Sequence, residues 1–129
     1  MLVDSDKEVG DMADAGLFVG FGNPVRGRED QAVELFNETV GWYSRLQEEG
    51  EIESFEPVFL EPHGGDLGGF FLIRGDAEKL SKLRVSDEFT QFTIKAGLCV
   101  ESIGVVGADM GERLQRQMAF YTEQIGAIA

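Results

Sequence analysis

Residues 55–73 read FEPVFLEPHGGDLGGFFLI, in which two apolar runs, 55–60 and 70–73, flank a glycine-rich turn. Apolar runs bounded by Gly and Pro are typical of β-strands, so this stretch predicts a hairpin. Residues 70–73 all have bulky apolar side chains, at odd and at even positions alike. Successive side chains of a strand point to opposite faces of its sheet. The sequence therefore predicts a strand that is buried on both faces.

The segments around the hairpin predict further strands and helices. Residues 17–22 predict a first strand, and residues 29–49 predict a helix with the apolar stripe Val33, Phe36, Val40, Tyr43 and Leu46. Residues 77–96 predict helical structure that breaks near residue 85, with Asp76 and Ser86 as N-caps and Gly97 at its end. Residues 102–107 predict a fourth strand. Residues 112–125 predict a last helix with one apolar side, formed by Leu114, Met118, Tyr121 and Ile125.

This order, β-α-β-β-α-β-α, predicts an α+β fold: a ferredoxin-like sandwich with an extra C-terminal helix. Right-handed crossovers in that sandwich place strands 1 and 3 at the centre of a four-stranded sheet. Two helices cover one face, and the apolar strands need a cover on the other. Two accounts remain open for that cover: a second copy paired sheet to sheet as a homodimer, or the last helix folded over its own sheet.

Composition limits the classes of function. The 129 residues include 24 acidic and 11 basic side chains, a net charge of −13 that repels nucleic acid and anionic membranes. No apolar stretch is long enough to suggest a membrane span. We expect residues 1–16 to form an acidic, disordered tail and residues 17–129 a single domain. The single cysteine, Cys99, favours the cytoplasm, and one His with one Cys predicts neither a metal site nor a cofactor.

The segment from Leu83 to Phe89, continued through residues 96–100 and 104–107, resembles the dimeric α/β-barrel superfamily. The resemblance covers about residues 17–125. It implies ferredoxin-like subunits that pair through their sheets. The superfamily includes cofactor-independent monooxygenases, lactone isomerases, haem-degrading enzymes and YCII-like proteins, so membership narrows the fold more than the chemistry.

His63, the single histidine, and Asp66 are the candidate catalytic residues, because a flexible glycine-rich turn can bring a carboxylate to orient an imidazole. The YCII-like branch is associated with a His-Asp pair, which the resemblance carries to these two positions. The competing interpretation is a solvated turn in which His63 points outward.

A pocket between sheet and helices is a second candidate site. Gly20 has no side chain, which leaves room either for a ligand or for a closely packed helix. Candidate polar or aromatic lining residues are Tyr43, Trp42, Glu56 and Arg74. Glu56 either faces water at a sheet edge or is buried with a proton-transfer role, and Arg74 either clamps an anionic group or forms a surface ion pair.

Two functions follow from these candidates. The first is a small-molecule-binding or accessory homodimer that holds a small apolar ligand and performs no chemistry. The second is a cofactor-independent monooxygenase or isomerase that uses His63 as a proton shuttle. They differ in whether His63 reaches a pocket.

Overall fold

A computed structural model describes residues 13–129, which form four strands and four helices. In chain order these are β1 (Ala15–Phe21), α1 (Glu29–Glu48), β2 (Ser54–Phe59), β3 (Gly69–Gly75), α2 (Ala77–Arg84), α3 (Asp87–Cys99), β4 (Gly104–Asp109) and α4 (Gly111–Ile128). Most of the predicted acidic tail, residues 1–12, lies outside the described residues. Its last two residues, 15 and 16, belong to β1, because they pair with both β3 and β4.

The four strands form one antiparallel sheet in the order β2-β3-β1-β4. Strands β1 and β3 are central, as predicted, and their register runs from Ala15 opposite Gly75 to Phe21 opposite Gly69. This α+β arrangement is compatible with a ferredoxin-like sandwich.

Local signals position the helices on one face of the sheet. The Asp76 carboxylate accepts a hydrogen bond from Lys79 N at 3.2 Å, and the Ser86 hydroxyl accepts one from Phe89 N at 3.2 Å. Both residues are therefore the N-caps that the sequence predicts. The predicted end of α3 at Gly97 is wrong, since the helix continues to Cys99.

The buried side of α1 differs from the predicted stripe. Val33 is 61% exposed, whereas the buried residues are Ala32, Leu35, Thr39, Trp42, Tyr43 and Leu46. Ala32 and Leu35 form a buried cluster with Cys99 at the end of α3. At this end of the helix Ala32 and Leu35 therefore face the core, and Val33 stays on the exposed side.

In the single chain β3 is buried on one face only, so its burial on both faces stays a prediction that requires a second cover. Phe71 and Ile73 face the helices and are 4% and 0% exposed, but Phe70 and Leu72 point to the opposite side and are only half-buried. We call that side the open face. Its apolar side chains are Phe18, Val58, Phe70, Leu72 and Val106.

Helix α4 does not cover the open face. None of its side chains is buried, and its apolar stripe of Leu114, Met118, Tyr121 and Ile125 is exposed to between 47% and 65%. The Asp109 carboxylate anchors the first turns of α4 through Arg113 Nε at 3.0 Å and through the Gln117 side chain. The account in which the last helix folds over its own sheet is therefore wrong.

Candidate functional site

A cavity of about 620 Å³ lies between the sheet and helices α1 and α3, at the end of the sheet where β1 finishes. Its walls come from five elements: β1, α1, β2, β3 and α3. Its volume is within the range of ligand pockets in proteins, roughly 300 to 1,000 Å³.

The cavity exists because small side chains stand where the two helices meet the sheet. Ala32 on α1 and Ala96 on α3 line it, and so do Thr39, about two turns after Ala32, and Thr93, about one turn before Ala96. Large rings surround this gap without filling it. These rings belong to Phe21, Phe36, Phe59, Phe71, Phe89 and Phe92.

The polar groups of the lining are few, and most are already engaged. The Thr39 hydroxyl donates to Leu35 O at 2.7 Å, and the Thr93 hydroxyl donates to Phe89 O at 2.8 Å. Two asparagines, Asn23 and Asn37, are exposed at the rim. The lining residues described here include no charged side chain.

Tyr43 is the exception. It is 2% exposed and lines the cavity, and no other described residue forms a hydrogen bond with its hydroxyl. That oxygen still reaches solvent, since no fully buried side-chain N or O atom of the described residues lacks a hydrogen-bond partner. Its ring is fixed by Phe71, edge to face at 5.2 Å, and by Trp42 and Phe55 at 5.4 and 5.6 Å between ring centroids. The hydroxyl is therefore held in place before any ligand arrives.

Burial raises the pKa of the Tyr43 hydroxyl well above its ordinary value, because a phenolate would lose its hydration in the apolar surroundings. Tyr43 thus keeps its proton at neutral pH. It therefore does not act as an anion.

His63 has a different role. Its Nδ1 accepts a hydrogen bond from Gly65 N at 3.2 Å, so the proton is on Nε2, which donates to Leu67 O at 2.7 Å. Both ring nitrogens are used within the hairpin tip. Asp66 makes no hydrogen bond to the ring, and His63 does not line the cavity.

The other predicted site residues are spread over the molecule. Glu56 and Arg74 point to the open face, on adjacent rungs of β2 and β3. Gly20 also faces that side, where an added Cβ would lie 2.7 Å from the Phe18 ring. Trp42 stacks on Phe92 at 4.5 Å with 2° between the ring planes, and so joins α1 to α3 without lining the cavity. Tyr43 is the predicted pocket residue that the structure places at the cavity.

Sequence reasoning missed the aromatic lining from α3 and the strand ends. Phe89 and Phe92 have helical spacing, which marks them as core residues. No sequence signal states that the core they join is incompletely filled. The alternation of small and large residues on α1, Ala32 and Thr39 beside Leu35 and Phe36, was the available hint.

Neither a family model nor a curated protein matches this chain. Within residues 13–129 no helix is long and apolar enough to cross a membrane. The same residues contain no group of three His, Cys, Asp or Glu side chains arranged to hold a metal ion.

Proposed function

We propose that this protein binds a small apolar molecule in the cavity between its sheet and helices, without chemistry of its own, as a homodimer of the dimeric α/β-barrel type. The cavity carries the proposal: a space of about 620 Å³ walled mostly by aromatic and small side chains. Ligand sites in proteins are typically concave pockets of this size with a mostly apolar lining.

The hairpin tip gives this cavity an entrance that is held in shape. Leu60 and Gly68 line the cavity and close the hairpin through the bond from Leu60 N to Gly68 O at 2.8 Å. Gly68 N in turn donates to Phe21 O at 2.8 Å, which ties the tip to β1. The His63 bonds hold the turn between them, so this histidine supports the rim of the site.

The catalytic alternative requires more rearrangement. A cofactor-independent monooxygenase or isomerase needs His63 to exchange a proton with a substrate in the cavity. Both ring nitrogens are engaged within the turn, so the tip would have to open before the ring could reach a substrate. We therefore favour binding over catalysis.

A second copy of this chain is the partner that fits the open face. Four strands about 4.8 Å apart and about 20 Å long give the open face a footprint of roughly 400 Å², part of it apolar. The exposed stripe on α4, about 27 Å long, adds a second apolar surface beside it. Surfaces of this extent are rarely left to water, and a two-fold pair hides the same surface on both copies at once. The cytoplasm stays the predicted location, because the single cysteine is buried and unpaired.

The test is titration with N-phenyl-1-naphthylamine, an uncharged fluorophore whose emission rises in apolar surroundings. We expect saturable binding with one probe per chain. Emission that rises linearly without saturation, or saturation well below one probe per chain, would contradict the proposal.

A further inference from the structure

We infer that helix α4 pairs with α4 of a second copy of this chain, as a short coiled coil of two helices. The inference rests on the proposed function, since it takes the homodimer as given and names the partner of its last helix. The surface of contact is the row of exposed apolar residues on α4, which we call the seam: Leu114, Met118, Tyr121, Ile125 and Ile128.

The first step of the argument is the spacing of the seam. Its residues follow one another at steps of four, three, four and three. This period of 3.5 residues is the apolar repeat of coiled coils, in which each side chain inserts between side chains of the facing helix. At about 100° per residue the five side chains span about 80° of the helix surface, which is narrower than the stripe that a helix turns to a globular core.

The second step is the charge along the seam. In a coiled coil the residues that flank the seam determine whether two helices attract or repel each other. In α4 these flanking residues are uncharged: Gln115, Gln117, Thr122 and Gln124. The charged residues of α4, two acidic and two basic, lie further round the helix, so α4 has no net charge in a chain that carries −13. Two copies can therefore meet along α4 without like-charge repulsion between their seams.

The third step places the seam beside the open face. Met110 comes four residues before Leu114 and so extends the same side of α4 towards the sheet. Gly16 belongs to the open face, two residues before Phe18 on β1, and an added Cβ on Gly16 would lie 2.7 Å from Met110 Cε. The Met110 side chain therefore rests on the open face. A partner seated on that face is brought next to the seam.

The fourth step is the area that a stable dimer needs. A standard interface takes about 800 Å² of accessible surface from each partner, and the open face provides roughly half of that. The stripe on α4, about 27 Å long and about 10 Å wide, adds roughly 270 Å². The helix also depends on the sheet, because a seam of about two heptads is shorter than that of an independent coiled coil. Pairing through the open face holds the two helices at a high effective concentration.

Cross-linking between copies tests this pairing directly. Tyr121→Cys places a thiol at the middle of the seam, where it lies close to its own copy whether the two helices run parallel or antiparallel. Phe120→Cys is the matched control, at a similarly exposed position about 100° further round the same helix. Both variants and the natural chain, whose Cys99 is buried, are treated with the short thiol cross-linker bismaleimidoethane. Circular dichroism verifies that each variant is folded.

We expect a covalent dimer as the main product of Tyr121→Cys, and single chains from Phe120→Cys and from the natural chain. Equal cross-linking of the two variants would overturn the inference. Absence of a cross-link in Tyr121→Cys, in a protein that has the mass of two chains by static light scattering, would also overturn it. The homodimer would then stand, with α4 seated on another part of the second copy. A single-chain mass for the natural protein would overturn both the inference and the proposed homodimer.

A second pair of variants measures the contribution of the seam to dimer stability. Met118→Glu and Ala119→Glu add the same charge to neighbouring positions of α4, and Met118 alone belongs to the seam. We expect Met118→Glu to raise the dissociation constant of the dimer at least about tenfold, because pairing would bury its carboxylate. Ala119→Glu should dissociate like the natural chain in a dilution series followed by light scattering. Equal dissociation constants in the two variants would contradict a seam at Met118.

Discussion

At the scale of the residue, Tyr43 combines a rigid ring with a hydroxyl to which no other described residue forms a hydrogen bond. Phe71, Trp42 and Phe55 fix the ring, so the hydroxyl has little freedom to turn towards another protein group. Preorganised donors of this kind favour binding, because their orientation has already been established during folding. The same burial that fixes the hydroxyl raises its pKa.

The raised pKa of Tyr43 predicts a loss of stability at alkaline pH. In the unfolded chain this tyrosine ionises near pH 10, its ordinary value, whereas in the folded chain it stays protonated to higher pH. Above pH 10 the folded state therefore binds more protons than the unfolded state, and the free energy of unfolding falls as pH rises. We expect a fall of up to about 1.4 kcal/mol per pH unit from this group.

Urea unfolding of the natural chain and of Tyr43→Phe between pH 8.5 and 11.5 measures this effect. The difference between the two chains should be constant below pH 10 and should shift in favour of Tyr43→Phe above it. A difference that is independent of pH across the whole range would show that Tyr43 ionises equally in both states.

At the scale of the element, the hairpin tip is a small structure closed by its own histidine. The His63 ring accepts from Gly65 N and donates to Leu67 O. A Cβ on Gly65 would lie 2.7 Å from His63 Cε1, so an alanine there must push the ring out of its place. His63 and Gly65 therefore act as a unit.

A double-mutant cycle tests this unit. His63→Ala and Gly65→Ala should each lower the free energy of unfolding by about 0.5 to 1 kcal/mol, because each removes the same exposed hydrogen bonds. The double variant should cost no more than one of them, since the second change finds no ring to displace. Additive losses in urea unfolding would contradict this role for His63.

Local elements could be predicted from the sequence better than the packing between them. Asp76 and Ser86 are caps because of chemistry within three residues of each, and that chemistry is visible in the sequence. The orientation of α1 was not visible, since Val33 is apolar but points outward once Ala32 packs near Cys99. The cavity arises in the same way, from space left between five elements. Tyr43 could be named as a candidate, but its place at the cavity could be found only in three dimensions.

At the scale of the whole molecule, the open face is the largest feature that a single chain leaves unexplained. Helix α4 does not cover its apolar residues. On the opposite face of the same strand, Phe71 and Ile73 are buried against the helices. The alternation of side chains along β3 indicated correctly that this surface carries apolar residues. It could not indicate whether those residues are covered by the same chain or by a second one.

A matched pair of substitutions tests the homodimer. Val106 lies on the open face and is 55% exposed, and Val85 lies between α2 and α3 and is 78% exposed. Static light scattering should give the mass of two chains for the natural protein and for Val85→Glu. Val106→Glu should give the mass of one chain, because pairing would bury two unpaired carboxylates. A single-chain mass for the natural protein, or a stable dimer of Val106→Glu, would contradict the proposed interface.

The central claim is that an apolar ligand fills the cavity between sheet and helices, and a probe could also bind to the open face. The most direct measurement therefore titrates N-phenyl-1-naphthylamine into two alanine variants: Ala96→Phe, which fills part of the cavity from α3, and Ala77→Phe, which adds the same ring at an exposed position of α2. We predict that Ala96→Phe weakens binding roughly tenfold or more, because the added ring occupies ligand space, and that Ala77→Phe binds like the natural chain. Equal affinity in folded Ala96→Phe and in the natural chain would contradict the account.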